Sequence, residues 1–594
     1  MATEIDATRV GAGFLITPVT VASFFTPEDF DEELHAVVDL VNTFMEREVV
    51  PRAEAIERQE PGLMRELLRK AGEKGLLMAD IPEEYGGAGL GLIASTIING
   101  TGRDSSFGVA LGAHTGIGTL PIVFYGTEEQ KRKYLPKLAT GEWIAAYALT
   151  EPQVGSDAMA IHSRATLAPD GQTYLLNGAK QWISNAGFAD IFIVFAKIDD
   201  TQHTAFIVER DTPGLSLGAE EKKMGIKGSS TRTVYLDNAR VPRENILGEI
   251  GKGYRIAFNI LNIGRLKLGA AAAGGSRQAL KLAVPYTVER RAFGKPLHAF
   301  GMIKKKLALM AAETYAIESL AYRTVGLMEE ARRAAGADPQ EALRAIEEYA
   351  IESSIAKVYG SEVLSRVVDE GVQIFGGYGF MQEFPIEKAY RDARILRIFE
   401  GTNEINRLVA AGTLFRRAMK GQIDVFSRFG EVDQQMAEGS TPTFATEDTP
   451  AELSNAVNMV ERAKRASLYA VMKAAMKFMA QMEDEQEFLE CAANLLIDTF
   501  ALDSAVGRAL QAARRSDPLA HVHALLAQVA VWKLLPEIRD TLEQTLRAAF
   551  SGDDLRAELQ RVRSYLGEYE LNGIEAQREL ANVVVSAGGF PLPF

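Results

Sequence analysis

The sequence predicts a mainly α protein with a central β domain: an N-terminal helical domain, a small β barrel or sandwich, a four-helix bundle, and a further C-terminal helical bundle. Three observations lead there. Apolar residues recur at helical spacing before residue 143 and again after residue 251. Alternating or β-branched runs fill the stretch between, and a polar segment near 420–455 sets off the last quarter of the chain. The expected domains are residues 1–142, 143–250, 251–420 and 456–594, with 421–455 as linker or surface loop.

Composition narrows the function classes. A chain of 594 residues with 47% hydrophobic and 24% charged residues can bury several cores, as soluble proteins of this size do. Its net charge of -14 argues against nucleic acid as a partner. The single cysteine, Cys491, supports neither a disulfide framework nor a thiolate metal site. No His-x-x-x-His pair occurs, and His521 and His523 would face different sides of a helix, so no metal is expected. The chain does not open on a basic region followed by an apolar core, and no run of about 18 uninterrupted apolar residues follows. A cytoplasmic protein is expected, and peripheral attachment at the inner face of the membrane stays open, because it needs only an amphipathic surface.

In chain order, residues 1–27 are interrupted by Gly11, Gly13 and Pro18 and read as an arm packed on the body. From Pro27 an acidic start and apolar residues at Leu34, Val37, Val38, Val41 and Phe44 predict a helix ending at Pro51; a second spans about 61–74. Gly86, Gly87, Gly89 and Gly91 lack the full dinucleotide spacing and a preceding strand, which favours a tight turn before a helix over phosphate binding. Helices near 91–103 and 105–124 are rich in small residues, which allow close packing or leave room for a long apolar ligand. Thr127 opens a further helix with Glu128 and Glu129 in its first turn. Seven short strands between 143 and 250, divided by turns such as Asn177-Gly178, predict an antiparallel barrel or sandwich. Helices follow at 251–284, 297–334, 341–373, 385–397 and 404–418, then beyond the polar segment at 456–482, 485–514, 519–547 and 553–580. The apolar terminus FPLPF is expected to pack on the body or on a partner.

Several stretches could carry chemistry. The helix with Arg391, Asp392, Arg394 and Arg397 should run to Glu400, break at Gly401 and restart near Thr402 or Asn403. A carboxylate at such a junction can be a base aimed from rigid elements, or simply the last residue before a cap. The loop in YALTEPQVGSDA can offer backbone N–H groups and the Ser156 hydroxyl to a flat ring or a phosphate, or be an ordinary turn. In KQWISNAG, Trp182 and Ser184 share a strand face, where the indole could stack on a planar cofactor or fill a core. ERRAFGKPL brings Arg290 and Arg291 to a helix end before Phe293. VQIFGGYGF joins Gln373 to a glycine turn with Gly376 and Gly377.

Together and in this order, TEPQVGSD, WISNAG, RRAFGK, QIFGGYGF and RIFEGTNEINR resemble the acyl-CoA dehydrogenase family over about residues 30–415, and the additional C-terminal region looks like that of its very-long-chain branch. The resemblance implies the same three-part fold and an FAD lying between the β domain and the bundle, with a second subunit of a homodimer completing its site. It implies that Tyr147, Leu149 and Thr150 line the flavin ring, that Ser156 lies near cofactor phosphate and ligand, and that Trp182 and Ser184 meet the flavin edge. Arg290, Gln373 and Gly377 match cofactor contacts made across the dimer, Phe293 matches another cofactor-binding position, and Thr402 and Glu404 match a further contact. Asn262 and Arg265 match ligand-binding positions, with Phe399 and Gly401 beside them, and Glu400 matches the catalytic base. Two departures stand out. Where some members carry a carboxylate beside the residue matching Arg265, this chain has Gly264, and Ala292 replaces a common threonine. Small residues Gly108, Ala110, Gly112 and Ala113 fall where shorter-chain members close the tail pocket, consistent with a deeper tunnel.

The implied function is FAD-dependent α,β-dehydrogenation of long or very-long-chain acyl-CoA to trans-2-enoyl-CoA, with electron-transfer flavoprotein as acceptor. Two other readings stay open at this level: an acyl-CoA oxidase using oxygen, and a catalytically weak assembly or scaffold protein.

Overall fold

The structure, a computed structural model, describes residues 9–336 and 339–593; the expected arm extends into residues 1–8, and the apolar terminus into residue 594, outside that range. The N-terminal domain comprises α1 (Glu32–Phe44), α2 (Ala53–Glu57), α3 (Leu63–Glu73), α4 (Gly91–Asn99), α5 (Ser105–Gly112), α6 (Leu120–Tyr125) and α7 (Glu128–Thr140). Capping follows the sequence: Asp31 accepts from the Leu34 N–H, and Thr127 and Gln130 cap α7 reciprocally. The first helix does not stop at Pro51. A π turn at Met45–Val49 and a 3-10 turn at Val50–Arg52 carry the chain past the proline, which sits in a first turn where its missing N–H costs nothing. The stretch Ser105–Tyr125 is long and apolar enough to cross a membrane by length and composition, with mean hydropathy 1.5, but it is mostly buried inside this domain and interrupted by a π turn at Ala113–Gly118.

The β domain holds β1 (Ala145–Ala148), β2 (Arg164–Leu167), β3 (Thr173–Ser184), β4 (Ile191–Ile198), β5 (Gln202–Glu209), β6 (Leu215–Glu220), β7 (Thr231–Pro242) and β8 (Ile246–Leu247). They form one eight-stranded sheet in the order β6-β7-β3-β2-β4-β5-β8, with β1 also on β4. It is not purely antiparallel: β1 pairs with β4 through Ala145↔Ile191 to Ala148↔Val194, and β2 pairs with it through Arg164↔Lys197, both parallel. The two strands lie end to end along β4, so the chain between them, residues 149–163, must bulge out of the sheet. That is the loop carrying Leu149, Thr150 and Ser156. The sheet curls over its own core of Ala146, Phe192, Phe206, Val234 and Tyr174, while the opposite face, with Tyr147, Phe195 and Ile207, joins the main core among the helices.

The bundle contains α8 (Gly253–Glu289), α9 (Gly301–Ala335), α10 (Pro339–Glu348), α11 (Ala350–Phe375), α12 (Pro385–Ala393) and α13 (Asn403–Met419). The expected helix 341–373 is two, broken at Tyr349, whose φ of -100 and ψ of 29 leave the helical region. Helices α8 and α11 pass so closely that a Cβ on Gly269 would meet the Ala356 carbonyl oxygen at 2.8 Å. The expected linker 421–455 is also corrected. It contains α14 (Val425–Ala437), whose Val425, Phe429, Val432 and Met436 recur at helical spacing and pack inward. The C-terminal bundle is α15 (Ala451–Phe478), α16 (Gln486–Arg514), α17 (Ala520–Ala549), α18 (Gly552–Leu566) and α19 (Gly573–Ala587). The expected helix 553–580 is thus split, because Gly567 takes a φ of 68 and Asn572 caps a new start.

The bundles share one core, and the N-terminal arm stitches them. Ala12 N–H donates to Glu352 (2.6 Å), Val19 N–H to Glu461 (2.7 Å), and buried Arg508 bridges Glu28 of the arm (2.9 Å) and Glu318 of α9 (2.8 Å). The terminus packs as expected: Leu592 is buried, and the Arg277 guanidinium lies 4.2 Å from the Phe590 ring centre while donating to the Leu592 carbonyl (3.0 Å).

Candidate active site

Helix α12 ends at Ala393, and a 3-10 turn at Arg394–Arg397 carries the chain on, so the helix stops short of Glu400. Glu400 itself is left-handed, with φ 60, and Gly401 follows at φ 76. The sequence suggested Gly401 alone. A left-handed non-glycine residue costs about 1–2 kcal/mol, which surrounding bonds must offset. They are present. Asn406 Nδ2 donates to the carbonyls of Glu400 (3.3 Å), Gly401 (2.9 Å) and Thr402 (3.0 Å), Arg265 Nε donates to the Glu400 carbonyl (3.3 Å), and Lys357 Nζ donates to that of Gly401 (2.8 Å). Thr402 then caps α13 by accepting from the Ile405 N–H (3.3 Å).

The backbone is tied down but the carboxylate is not. Glu400 Oε2 is buried without a hydrogen-bond partner, and burial pushes the carboxyl up to about 7 against the opposing pull of the Arg265 and Lys357 charges. Gly264 on α8 makes room for it, since a Cβ there would lie 2.9 Å from Oε2.

The carboxylate faces a cavity of about 820 Å³ between the β domain and the bundle. Of the expected residues, Tyr147, Leu149, Thr150, Ser156, Trp182, Ser184, Asn262, Arg265, Phe399 and Gly401 line it with Glu400. Arg265 donates to the Asn262 side chain (3.0 Å), so this pair is preassembled. Trp182 fills no core. It sits at φ 59 in a bulge of β3 between Lys180 and Ile183, and is 58% exposed toward the cavity. The same bulge buries Lys180, which pairs with Glu151 (2.6 Å) and donates to the Leu149 carbonyl (3.1 Å), locking the 149–163 loop onto the strand. The buried Tyr147 hydroxyl has no protein partner, and burial holds its pKa well above that of an ordinary phenol.

Other expected residues lie elsewhere. Arg290 and Gly377 line a separate hollow of about 430 Å³ beside the stacked Tyr286 and Phe375 rings; Gln373 is exposed and Phe293 is 94% exposed. Glu404 turns to a third hollow of about 680 Å³ with Arg397 and Arg407, and Thr402 serves as the cap. A single chain therefore gathers the first group and leaves the second on its surface. Sequence reasoning missed Lys357 and Asn406. The signal for Lys357 was a lone cation in the mostly apolar and small run SSIAKVYG.

A buried carboxylate with a free oxygen and a raised pKa that also faces a cavity is equipped to take a proton from a bound ligand, an arrangement suited to general-base chemistry. Sequence profiles described as acyl-CoA dehydrogenase N-terminal, middle and C-terminal domains match residues 31–142, 146–239 and 251–415, and another described as acyl-CoA dehydrogenase, C-terminal domain, matches 462–564. The chain belongs to the acyl-CoA dehydrogenase family of oxidoreductases. It is 46% identical to a probable acyl-CoA dehydrogenase of Bacillus subtilis (strain 168) over 99% of both chains. It is 37% identical to the mitochondrial very long-chain specific acyl-CoA dehydrogenase of Homo sapiens, over 90% of this chain and 82% of that one. The crystal structure of an acyl-CoA dehydrogenase complexed with FAD from Bacillus anthracis superposes with a TM-score of 0.95 at 45% identity, covering 98% of this chain and 100% of that one.

Proposed function

We propose that this protein is an FAD-dependent dehydrogenase that converts long or very-long-chain acyl-CoA to trans-2-enoyl-CoA and passes the electrons to electron-transfer flavoprotein. The observation that carries the reading is the free, buried Oε2 of Glu400 in a cavity walled on another side by the exposed indole of Trp182.

The residues fit the cofactor. Trp182 offers a flat face, and Thr150, Ser156 and Ser184 offer polar atoms to a ring edge and a ribityl chain. Arg290, Phe293, Gln373 and Gly377, set apart in one chain, would meet the far half of FAD only if a second copy supplied them, which supports a homodimer. Bound FAD supplies the two-electron acceptor that receives the β-hydrogen with its bonding pair.

The chain's own residues do the rest. Glu400 accepts the α-proton, leaving that C–H electron pair to form the new double bond as the β-hydrogen departs. Burial raises the base strength of Glu400 toward that of a weakly acidic α-carbon. Among the described residues the Glu400 N–H donates to no protein acceptor, so it is available to a thioester oxygen on which charge develops. The preassembled Asn262–Arg265 pair holds the ligand side of the cavity, and Arg344, Arg416 and Lys420 at its mouth suit the phosphates of CoA. Small residues support a long acyl tail: a Cβ on Gly108, or on buried Gly116, would meet no atom within 4 Å.

The test is anaerobic titration of the FAD-loaded protein. Palmitoyl-CoA should bleach the flavin and butyryl-CoA should not, while Glu400→Gln should keep the flavin and lose nearly all bleaching. A protein that binds no flavin, or a glutamine variant that turns over normally, overturns the reading.

A further inference from the structure

We propose that Lys357 is the positioning residue of Glu400: from within α11 its ammonium grips the far side of the turn that aims the carboxylate, and its charge favours the ionised base. The proposal rests on Glu400 as the base. Lys357 is fully buried, and its Nζ donates to the Gly401 carbonyl (2.8 Å) and to Asn403 Oδ1 (2.6 Å), both neutral acceptors. Among the described residues no carboxylate pairs with it. A buried cation held only by neutral groups is costly, and a neutral donor could serve these acceptors as well, as the Asn406 amide does at three carbonyls of the same turn. What the ammonium adds is an electric field.

The charged groups around the pair single out its target. Glu362, on the same helix, is engaged by both terminal nitrogens of Arg407 (2.8 and 3.0 Å), and Glu404 of α13 faces another hollow. Arg265 of α8 and the Tyr147 hydroxyl of β1 face Glu400 as well. Glu400 is therefore the negative group without a direct partner on which Lys357 acts most strongly. The two effects are mutual: burial drives the lysine down to about 7 while it drives the glutamate up to about 7, and each charge opposes the other's shift. Removing the ammonium should loosen the left-handed turn and tighten the proton on the base.

Two variants of the full FAD-loaded chain separate these effects. Lys357→Met removes both bonds and the charge; Lys357→Gln keeps an amide donor and removes only the charge. The readings are the single-turnover rate of anaerobic flavin reduction against pH, the substrate affinity, and the infrared titration of the Glu400 carboxyl, isolated by subtracting Glu400→Gln and needing no substrate. For the methionine variant the expected rate loss is about 100-fold with affinity within about threefold. Its acid limb and infrared midpoint should both move up by about one pH unit. The glutamine variant should lose less than about tenfold in rate and show the same pH displacement. Unchanged acid limbs and midpoints in both variants would overturn the proposal, as would a rate loss that merely follows lost flavin. A moved infrared midpoint in a protein inert to every acyl thioester would sustain the coupling and sink only the proposed substrate.

Discussion

A Cβ atom on Gly264 would lie 2.9 Å from Oε2 of Glu400, closer than two unbonded heavy atoms of this kind can sit. The carboxylate therefore occupies space that only a glycine on α8 leaves open. Gly264→Ala should raise helix stability slightly, by up to about 1 kcal/mol, since the residue is helical and alanine is the better helix former. It should nonetheless slow anaerobic flavin reduction by on the order of 100-fold, because the flexible carboxylate yields by turning away from its productive direction. Thermal unfolding and stopped-flow reduction read the two effects separately. A fast alanine variant would show that the carboxylate tolerates displacement.

The pH dependence follows from the same burial. Glu400 must be ionised to accept a proton, and burial raises its pKa from 4.5 to about 7. Flavin reduction should therefore rise through an acid limb centred near pH 7 and level off above it. The stability contribution runs the other way. The folded state holds this proton more tightly than the unfolded chain, so the contribution of Glu400 falls as pH rises from about 4.5 to about 7. Rate and denaturation profiles of the wild type should show these opposite trends, and Glu400→Gln should remove its share of the second.

Glu352 supplies the same stability test away from the site. Its Oε1 accepts from the Ala12 N–H at 2.6 Å, its Oε2 has no partner, and burial pushes it up to about 7. In Glu352→Gln the stability difference from wild type should shift in the variant's favour by on the order of 2–3 kcal/mol between pH 5 and pH 8, as the wild type alone acquires a buried charge. Urea midpoints at the two pH values measure this, and a pH-independent difference would show that Glu352 stays ionised throughout.

Arg508 ties the arm to both bundles through Glu28 and Glu318. Arg508→Met leaves two carboxylates facing each other's space without their cation, and breaking such a buried network costs about 3–5 kcal/mol. A lowered urea midpoint, with faster proteolysis in residues 9–29, is the expected outcome; an unchanged midpoint would mean that the arm contributes nothing to the joint.

What could be read locally was read well. Helical and alternating periods separated the β domain from the helices, and caps at Thr127 and Thr402 marked helix starts, because each depends on neighbours within a few residues. Even so, α14 escaped notice although Val425, Phe429, Val432 and Met436 have helical spacing, because polar residues surround them.

The sequence by itself determined the order of helical and β regions along the chain, and it made Glu400 a carboxylate at a helix break among motifs of a recognisable family. The tertiary structure decided the rest. The left-handed turn at Glu400 is held not only by the nearby Asn406 amide but by Arg265, 135 residues away, and Lys357, 44 residues before Gly401, and its carboxylate stays free because Gly264 leaves the space. Likewise β1 and β2 share one edge of β4 only because distant strands meet there, and that sharing pushes the loop of Thr150 and Ser156 into the cavity. The physical reason is common to all of these: burial and long-range hydrogen bonds act between residues that local pattern cannot bring together, and they set the strain, the exposure and the pKa on which the chemistry depends.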